Sequence, residues 1–181
     1  MGMELKIPEN FFVGAAMSGP QTEGAYKTGG RLESIWDTWS DLSISDFYNK
    51  VGSYVGNNFY EKYEDDIKLL KSLHMDSFRT SMQWSRLLTK DGKLNQEGAQ
   101  FYHKVCKCAK ENQIELFMNL YHFDMPTYLF ERGGWESRDV VEAYAAYARA
   151  AFREFGSEIR YWFTFNEPIV EPDQRYRNGF W

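Results

Sequence analysis

Short apolar runs alternate along this chain with longer stretches in which apolar side chains return every three or four positions. The runs cover residues 11–16, 77–84, 114–121 and 161–165, each short and bounded by polar or turn-forming residues, and each predicts a β-strand, the first of them buried. The second run continues into Ser85-Arg86. The longer stretches predict helices. From Asn58 onward, Tyr60, Tyr63, Ile67, Leu70 and His74 recur at near-helical spacing. Asn95 is placed to cap a helix carrying Phe101, Val105 and Ala109 on one face. Ser137 is placed to cap another, with Val141, Tyr144, Ala148, Phe152 and Phe155 along one side and Gly156 at its end. Residues 18–56 show neither period and read as a long Gly-rich polar loop holding Trp36 and Trp39, a length that points to function or disorder.

Strand and helix therefore alternate without a linker or a break in composition. That order predicts an α/β protein with a parallel sheet and helical crossovers, either an open doubly wound sheet or part of a barrel. No dinucleotide fingerprint follows a predicted strand, and Gly29-Gly30 lies inside the loop, where it is a weak phosphate signal. Polar chemistry gathers instead where strands end: Gln21 and Glu23, Arg79 with Trp84, His122 with Asp124, Asn166 with Glu167. A (β/α) barrel builds its site at that edge from several strand ends.

A net charge of −5 and the absence of basic runs exclude an electrostatic footprint for nucleic acid or an anionic membrane. Aromatic residues make up 18% of the chain, and their rings serve equally as core filling and as platforms for sugar faces. Cys106 and Cys108 match no zinc or redox spacing and read as packing thiols. His74, His103 and His122 form no metal-binding pattern, so neither metal nor cofactor is implied. No leader is recognised and no apolar run approaches the ~20 residues of a membrane span, which sets the expectation of a soluble cytoplasmic protein.

The sharpest chemical signal is Tyr161-Trp-Phe-Thr-Phe-Asn-Glu167-Pro168. An apolar strand here delivers a carboxyl group with an amide beside it. Aromatic surroundings that raise the carboxyl pKa would let Glu167 donate a proton to a leaving oxygen. The plainer reading is a solvated or ion-paired glutamate at a strand that Pro168 stops.

Four separated motifs weigh against the plainer reading: Phe12-Val-Gly-Ala-Ala-Met-Ser-Gly-Pro-Gln21-Thr-Glu-Gly24, Phe78-Arg79-Thr-Ser-Met-Gln-Trp84-Ser-Arg86, Asn119-Leu-Tyr-His122-Phe-Asp-Met-Pro126 and Thr164-Phe-Asn166-Glu167-Pro168. In order and spacing they resemble glycoside hydrolase family 1, the TIM-barrel group of β-glucosidases, 6-phospho-β-glucosidases and 6-phospho-β-galactosidases. The resemblance implies Glu167 as general acid/base, Asn166 as partner of the sugar 2-hydroxyl, Gln21 and His122 as binders of neighbouring hydroxyls, and Arg79 as the cation beside the nucleophile. Phe123, where many plain β-glucosidases of the family have tryptophan, and the Met17 to Gln21 stretch are similar to the phospho-sugar branch. The implied substrate is a small β-glycoside carrying a 6-phosphate, with gluco and galacto configurations both open.

The family's nucleophile and its phosphate-binding loop lie further downstream than Trp181, and neither Asp124 nor Glu171 matches the nucleophile pattern. Both read as surface or supporting groups. Four strands, against the eight of a TIM barrel, set the expectation of the N-terminal half of one catalytic domain over residues 1–181. A half barrel would be inactive alone and would self-associate through its open edges. The alternative is a non-catalytic interaction or sugar-binding module that needs a complementary half.

Overall fold

The computed structural model describes residues 6–42 and 47–178. Four strands, β1 (Gly14–Ala16), β2 (Ser77–Ser81), β3 (Glu115–Tyr121) and β4 (Tyr161–Phe165), form one parallel sheet in the order β1-β2-β3-β4. Each strand thus pairs with its predecessor, Gly14 with Ser77, Ser77 with Glu115, and Phe117 with Tyr161. A doubly wound sheet reverses its strand order at a switch point, whereas sequential parallel pairing is how a barrel wall grows. At the first step the strands come so close that a side chain at Gly14 would meet the Ser77 carbonyl oxygen at 2.1 Å.

Helices α3 (Phe59–Ser72), α5 (Gln96–Glu111) and α7 (Arg138–Phe155) supply the crossovers. One face of the sheet, carrying Phe78, Thr80, Leu116, Met118 and Leu120, is buried. Phe78 packs on Phe59 of α3, which in turn meets Phe101 of α5 edge-on. Alternation of side chains puts Arg79, Phe117, Asn119, Tyr161 and Phe163 on the opposite face. There Phe117 stacks on Tyr161 with centroids 4.6 Å apart, Phe12 closes against both rings, and Phe163 remains 43% exposed. Parallel sheets are ordinarily covered on both faces, and residues 6–178 cover only one of these fully.

Several sequence expectations need correction. The strand predicted to begin at Phe11 starts at Gly14, because the Asp76 carboxylate takes the Val13 amide proton at 2.8 Å. The strand predicted to run to Trp84 and beyond ends at Ser81 and turns into the short helix α4 (Trp84–Leu87). Side chains there take the donors a ladder would use: Gln83 N bonds Tyr102 Oη at 2.7 Å and Trp84 N bonds Asp124 Oδ2 at 2.7 Å. His74 lies beyond the end of α3, exposed and with φ 58°, and not on its core face. The buried stripe of α7 is Val140, Tyr147, Ala151 and Phe155, rotated from the predicted one. Tyr147 is buried because its hydroxyl donates to the carbonyls of Met82 and Leu120, while Phe152 is 42% exposed against Trp162.

The stretch 18–56 is also more ordered than its composition suggests. It holds the one-turn helix α1 (Gly19–Thr22), helix α2 (Ile35–Leu42) and a 3₁₀ turn at Tyr48–Lys50, with residues 43–46 outside the described set. Asn95 and Ser137 precede their helices as predicted but make no side-chain capping bond. The Asn95 amide donates instead to the carbonyls of Gly29 and Arg86, so the Gly29-Gly30 turn is fixed against the body of the fold. Cys106 and Cys108 are free and buried, and burial pushes the Cys106 thiol up to about 12, consistent with packing.

Candidate active site

The five residues singled out from the sequence lie around one cleft of about 700 Å³ at the C-terminal ends of the strands. Gln21 comes from α1 just after β1, Arg79 from β2, His122 from the turn after β3, and Asn166 and Glu167 from the turn after β4. Trp36, Phe123 and Val170 add apolar wall.

Polar contacts fix most of these groups before any ligand arrives. Arg79 Nη2 donates to Asn166 Oδ1 at 2.7 Å, and its guanidinium lies over the Phe163 ring at 5.5 Å. With its oxygen taken, the Asn166 amide presents N–H donors elsewhere. The Asn166 backbone N–H bonds the Tyr121 carbonyl at 2.9 Å, which extends the β3–β4 ladder to the residue before Glu167. Ser18 Oγ donates to Gln21 Oε1 at 2.6 Å. Burial, aided by the Arg79 charge, lowers the His122 pKa to about 4, so the ring is neutral at physiological pH and has one donor and one acceptor.

Two cleft residues that are not glycine have left-handed backbones, Phe123 at φ 68° and Glu167 at φ 42°. Such conformations cost about 1–3 kcal/mol each and persist where the surroundings dictate them. Both turn the chain sharply at a strand end and bring side chains to the cleft wall.

The enclosure expected around Glu167 is not supplied by these residues: its side chain is exposed. Asp124 and Glu171, expected at the surface or in support, are both buried, and neither lines the cleft. Asp124 ties two strand ends together, accepting from Trp84 N at 2.7 Å and His122 N at 3.4 Å, and burial pushes its carboxyl up to about 7. Among the described residues, Glu167 is the one carboxylate in the cleft lining.

The sequence reading missed Trp36 and the wall formed by Phe47 and residues 51–53. A local signal for α2 was present in Ser34-Ile-Trp-Asp37, a serine followed three positions later by an acid. Asp37 Oδ2 indeed accepts from both Ser34 N and Ser34 Oγ. A second cleft of about 750 Å³ opens at the other end of the sheet, beside Phe12, Asp76 and Glu115, and gathers none of the five residues. Among the described residues no grouping of His, Cys, Asp or Glu is arranged to hold a metal, and no helix is long and apolar enough to cross a membrane.

Sequential parallel strands with a polar cleft at their C-terminal ends are the architecture of a (β/α)-barrel wall. The chain belongs to glycosyl hydrolase family 1, whose sequence profile matches residues 3–181. It is 42% identical over 178 residues to the 6-phospho-beta-glucosidase GmuD of Bacillus subtilis, covering 98% of this chain and 38% of that protein. Beta-glucosidase 9 of Arabidopsis thaliana is 39% identical over 175 residues, covering 96% and 34% respectively. The solved family 1 β-glucosidase of Exiguobacterium antarcticum superimposes with a TM-score of 0.89 at 36% identity, over 94% of this chain and 38% of its own. The rice Os3BGlu6 β-glucosidase does so with 0.87 at 36%, over 92% and 35%. The chain thus spans little more than a third of the length of these relatives.

Proposed function

We propose that residues 1–181 are the N-terminal half of the catalytic barrel of a retaining β-glycoside hydrolase. The observation that carries this reading is the convergence of Gln21, Arg79, His122, Asn166 and Glu167 from four strand ends on one cleft. Glu167 protonates the leaving oxygen and later activates water. Asn166, oriented by Arg79, donates to the sugar 2-hydroxyl, a contact that strengthens as the anomeric carbon gains charge. Gln21 and neutral His122 bind neighbouring hydroxyls. Arg79 also stands ready to hold the attacking carboxylate ionised.

A retaining mechanism needs a second carboxylate about 5–5.5 Å from the first. The described cleft lining offers Glu167 alone, which favours a nucleophile from the other half of the barrel. The 181-residue chain by itself is then without turnover and associates through the edges of β1 and β4. The substrates are small β-glucosides or β-galactosides carrying a 6-phosphate, in the cytoplasm. Phe123 in the cleft wall and the 42% identity to a 6-phospho-beta-glucosidase support that choice.

Glu167→Gln in the full-length enzyme tests the assignment. Cleavage of substrates with poor leaving groups should fall by about 10²–10⁴-fold, while activated aryl glycosides, which need little protonation, lose much less in bond cleavage. An unchanged ratio between the two substrate types would remove Glu167 from the role. Higher kcat/KM on neutral than on 6-phosphorylated aryl β-glycosides would remove the phosphate preference.

A further inference from the structure

Two buried ion pairs flank a single glutamine at the end of β2. On one side Arg86 Nε donates to Glu23 Oε2 at 2.7 Å, with both side chains essentially inaccessible. On the other, Arg31 Nη1 meets Asp37 Oδ2 at 2.7 Å, also buried. Gln83 joins them: its Nε2 donates to Glu23 Oε2 at 2.6 Å and its Oε1 accepts from Arg31 Nε at 3.0 Å. The result is one continuous line, Asp37–Arg31–Gln83–Glu23–Arg86. A primary amide suits the middle place because it is uncharged and presents a donor and an acceptor side by side, one for the carboxylate and one for the guanidinium.

On either side of Gln83 this line reaches the cleft, through Glu23 and through Asp37. Glu23 directly follows α1, the turn that bears Gln21, and α1 rests on Gln83 itself: a side chain at Gly19 would meet Gln83 Cγ at 2.6 Å. Gly19 N is further tied to Ser81 Oγ at 2.8 Å. Asp37 directly follows Trp36 on α2, and Trp36 also lines the cleft. Gln83 does not line the cleft, so it acts on ligands only through these two walls.

We infer that Gln83 is a positioning residue that holds the Gln21 turn and the Trp36 helix in fixed relation at the mouth of the sugar cleft. Replacing it by methionine keeps the volume and leaves each ion pair its own partners. Glu23 retains Arg86 and Tyr102, the latter at 2.9 Å, and Arg31 retains Asp37. What is lost is the alignment between them.

The inference rests on the glycosidase reading, and the experiment separates the two. In the full-length enzyme, Gln83→Met should raise KM for an aryl β-glycoside about tenfold and lower kcat less than about threefold, since the walls bind the sugar before and during reaction alike. In a Gln21→Ala background the same substitution should raise KM by less than it does alone, because the part transmitted through Gln21 is then gone and only the Trp36 wall still carries it. An unchanged KM, or an undiminished effect in the Gln21→Ala background, overturns the inference. If Gln83→Met does not fold, Gln83→Asn, an amide one methylene too short for both bonds, should show the same KM rise. A crystal structure of either variant gives a reading without turnover: residues 18–22 should shift relative to β2, and a superimposable turn overturns the inference. Failure of the wild-type enzyme to cleave any β-glycoside would sink the proposed function alone and leave that structural comparison to decide the role of Gln83.

Discussion

Two buried acid–arginine pairs sit at opposite sides of the sheet edge, and they are built very differently. Glu23 and Arg86 are saturated: the guanidinium reaches Glu23 and the carbonyls of Gly24, Ala25 and Thr28, lies over the Tyr60 ring at 4.4 Å, and the carboxylate collects Gln83 and Tyr102 as well. Glu171 and Arg175, in the π-helical turn Glu171–Arg177, are equally buried but sparsely served. Arg175 Nε approaches Glu171 Oε1 at 3.1 Å without hydrogen-bond geometry, and all three guanidinium nitrogens and Glu171 Oε2 lack a hydrogen-bond partner among the described residues. Tyr121 Oη serves the remaining oxygen at 3.1 Å. Burial of charge is therefore not itself a stabilising feature. Desolvation is repaid at the β1–β2 corner by a full set of partners, and after β4 it is repaid only in part.

Removing one member of the saturated pair gives the largest expected effect. Arg86→Met in the full-length protein leaves the Glu23 carboxylate buried with neutral donors only, and should cost about 3–5 kcal/mol in urea unfolding. A loss under about 1 kcal/mol would erase the contrast between the two corners.

Asp124 tests the intermediate case, a buried carboxyl served by two backbone donors with no adjacent cation in hydrogen-bond contact. Its pKa rises on folding from 3.8 to about 7, so between those values the folded state holds a proton that the unfolded state has released. Stability from this group is therefore highest at acid pH and falls as pH rises from about 4 to about 7, by at most about 4 kcal/mol. Asp124→Asn should flatten that part of the stability-versus-pH curve. A variant with the same slope as the wild type over that window would contradict the assignment.

At the sparse corner, replacing both partners should matter little. Glu171→Gln combined with Arg175→Met is expected to change unfolding free energy by less than about 1 kcal/mol, or to stabilise, because the pair recovers little of its desolvation. A loss above about 3 kcal/mol would mean that this pair recovers its desolvation after all.

The smallest effect belongs to a pair that is not buried. His103 of α5 lies between Glu154 of α7 at 2.9 Å and Glu158, just past the end of α7, at 2.6 Å; desolvation lowers its pKa, but the two carboxylates together outweigh it and raise the pKa. A histidine whose pKa rises on folding stabilises fully below its unfolded value and loses that contribution as pH climbs through the folded one. His103→Gln should remove a slight decline in thermal stability above about pH 6.5, strongest at low salt.

The sequence made the framework legible where the signal is local. β4 occupies residues 161–165 as predicted, and β3 begins one residue late, because each is a short continuous apolar run bounded by polar or turn-forming residues. That Gln21, Arg79, His122, Asn166 and Glu167 line one cleft was readable because the apolar pattern breaks into polar groups near the strand ends. What was hidden depends on distant partners. The end of β2 is decided by Tyr102 and Asp124, the rotation of α7 by carbonyls of Met82 and Leu120, and the burial of Arg31 and Arg86 by acids on other turns. None of these has a period. Glu167 is open because the aromatics next to it in sequence pack elsewhere, Phe163 against Phe117 and Phe165 against Tyr121, Trp135 and Tyr144.

The strand order has a consequence for how the protein is made. Each strand pairs with the one translated before it, so β2 can settle on β1, and β3 on β2, while the ribosome is still adding the next crossover helix. The helix-covered face matures in step with synthesis. The aromatic face of Phe12, Phe117, Tyr161 and Phe163 has no such partner within these residues, and it is the surface a chaperone would have to shield during elongation.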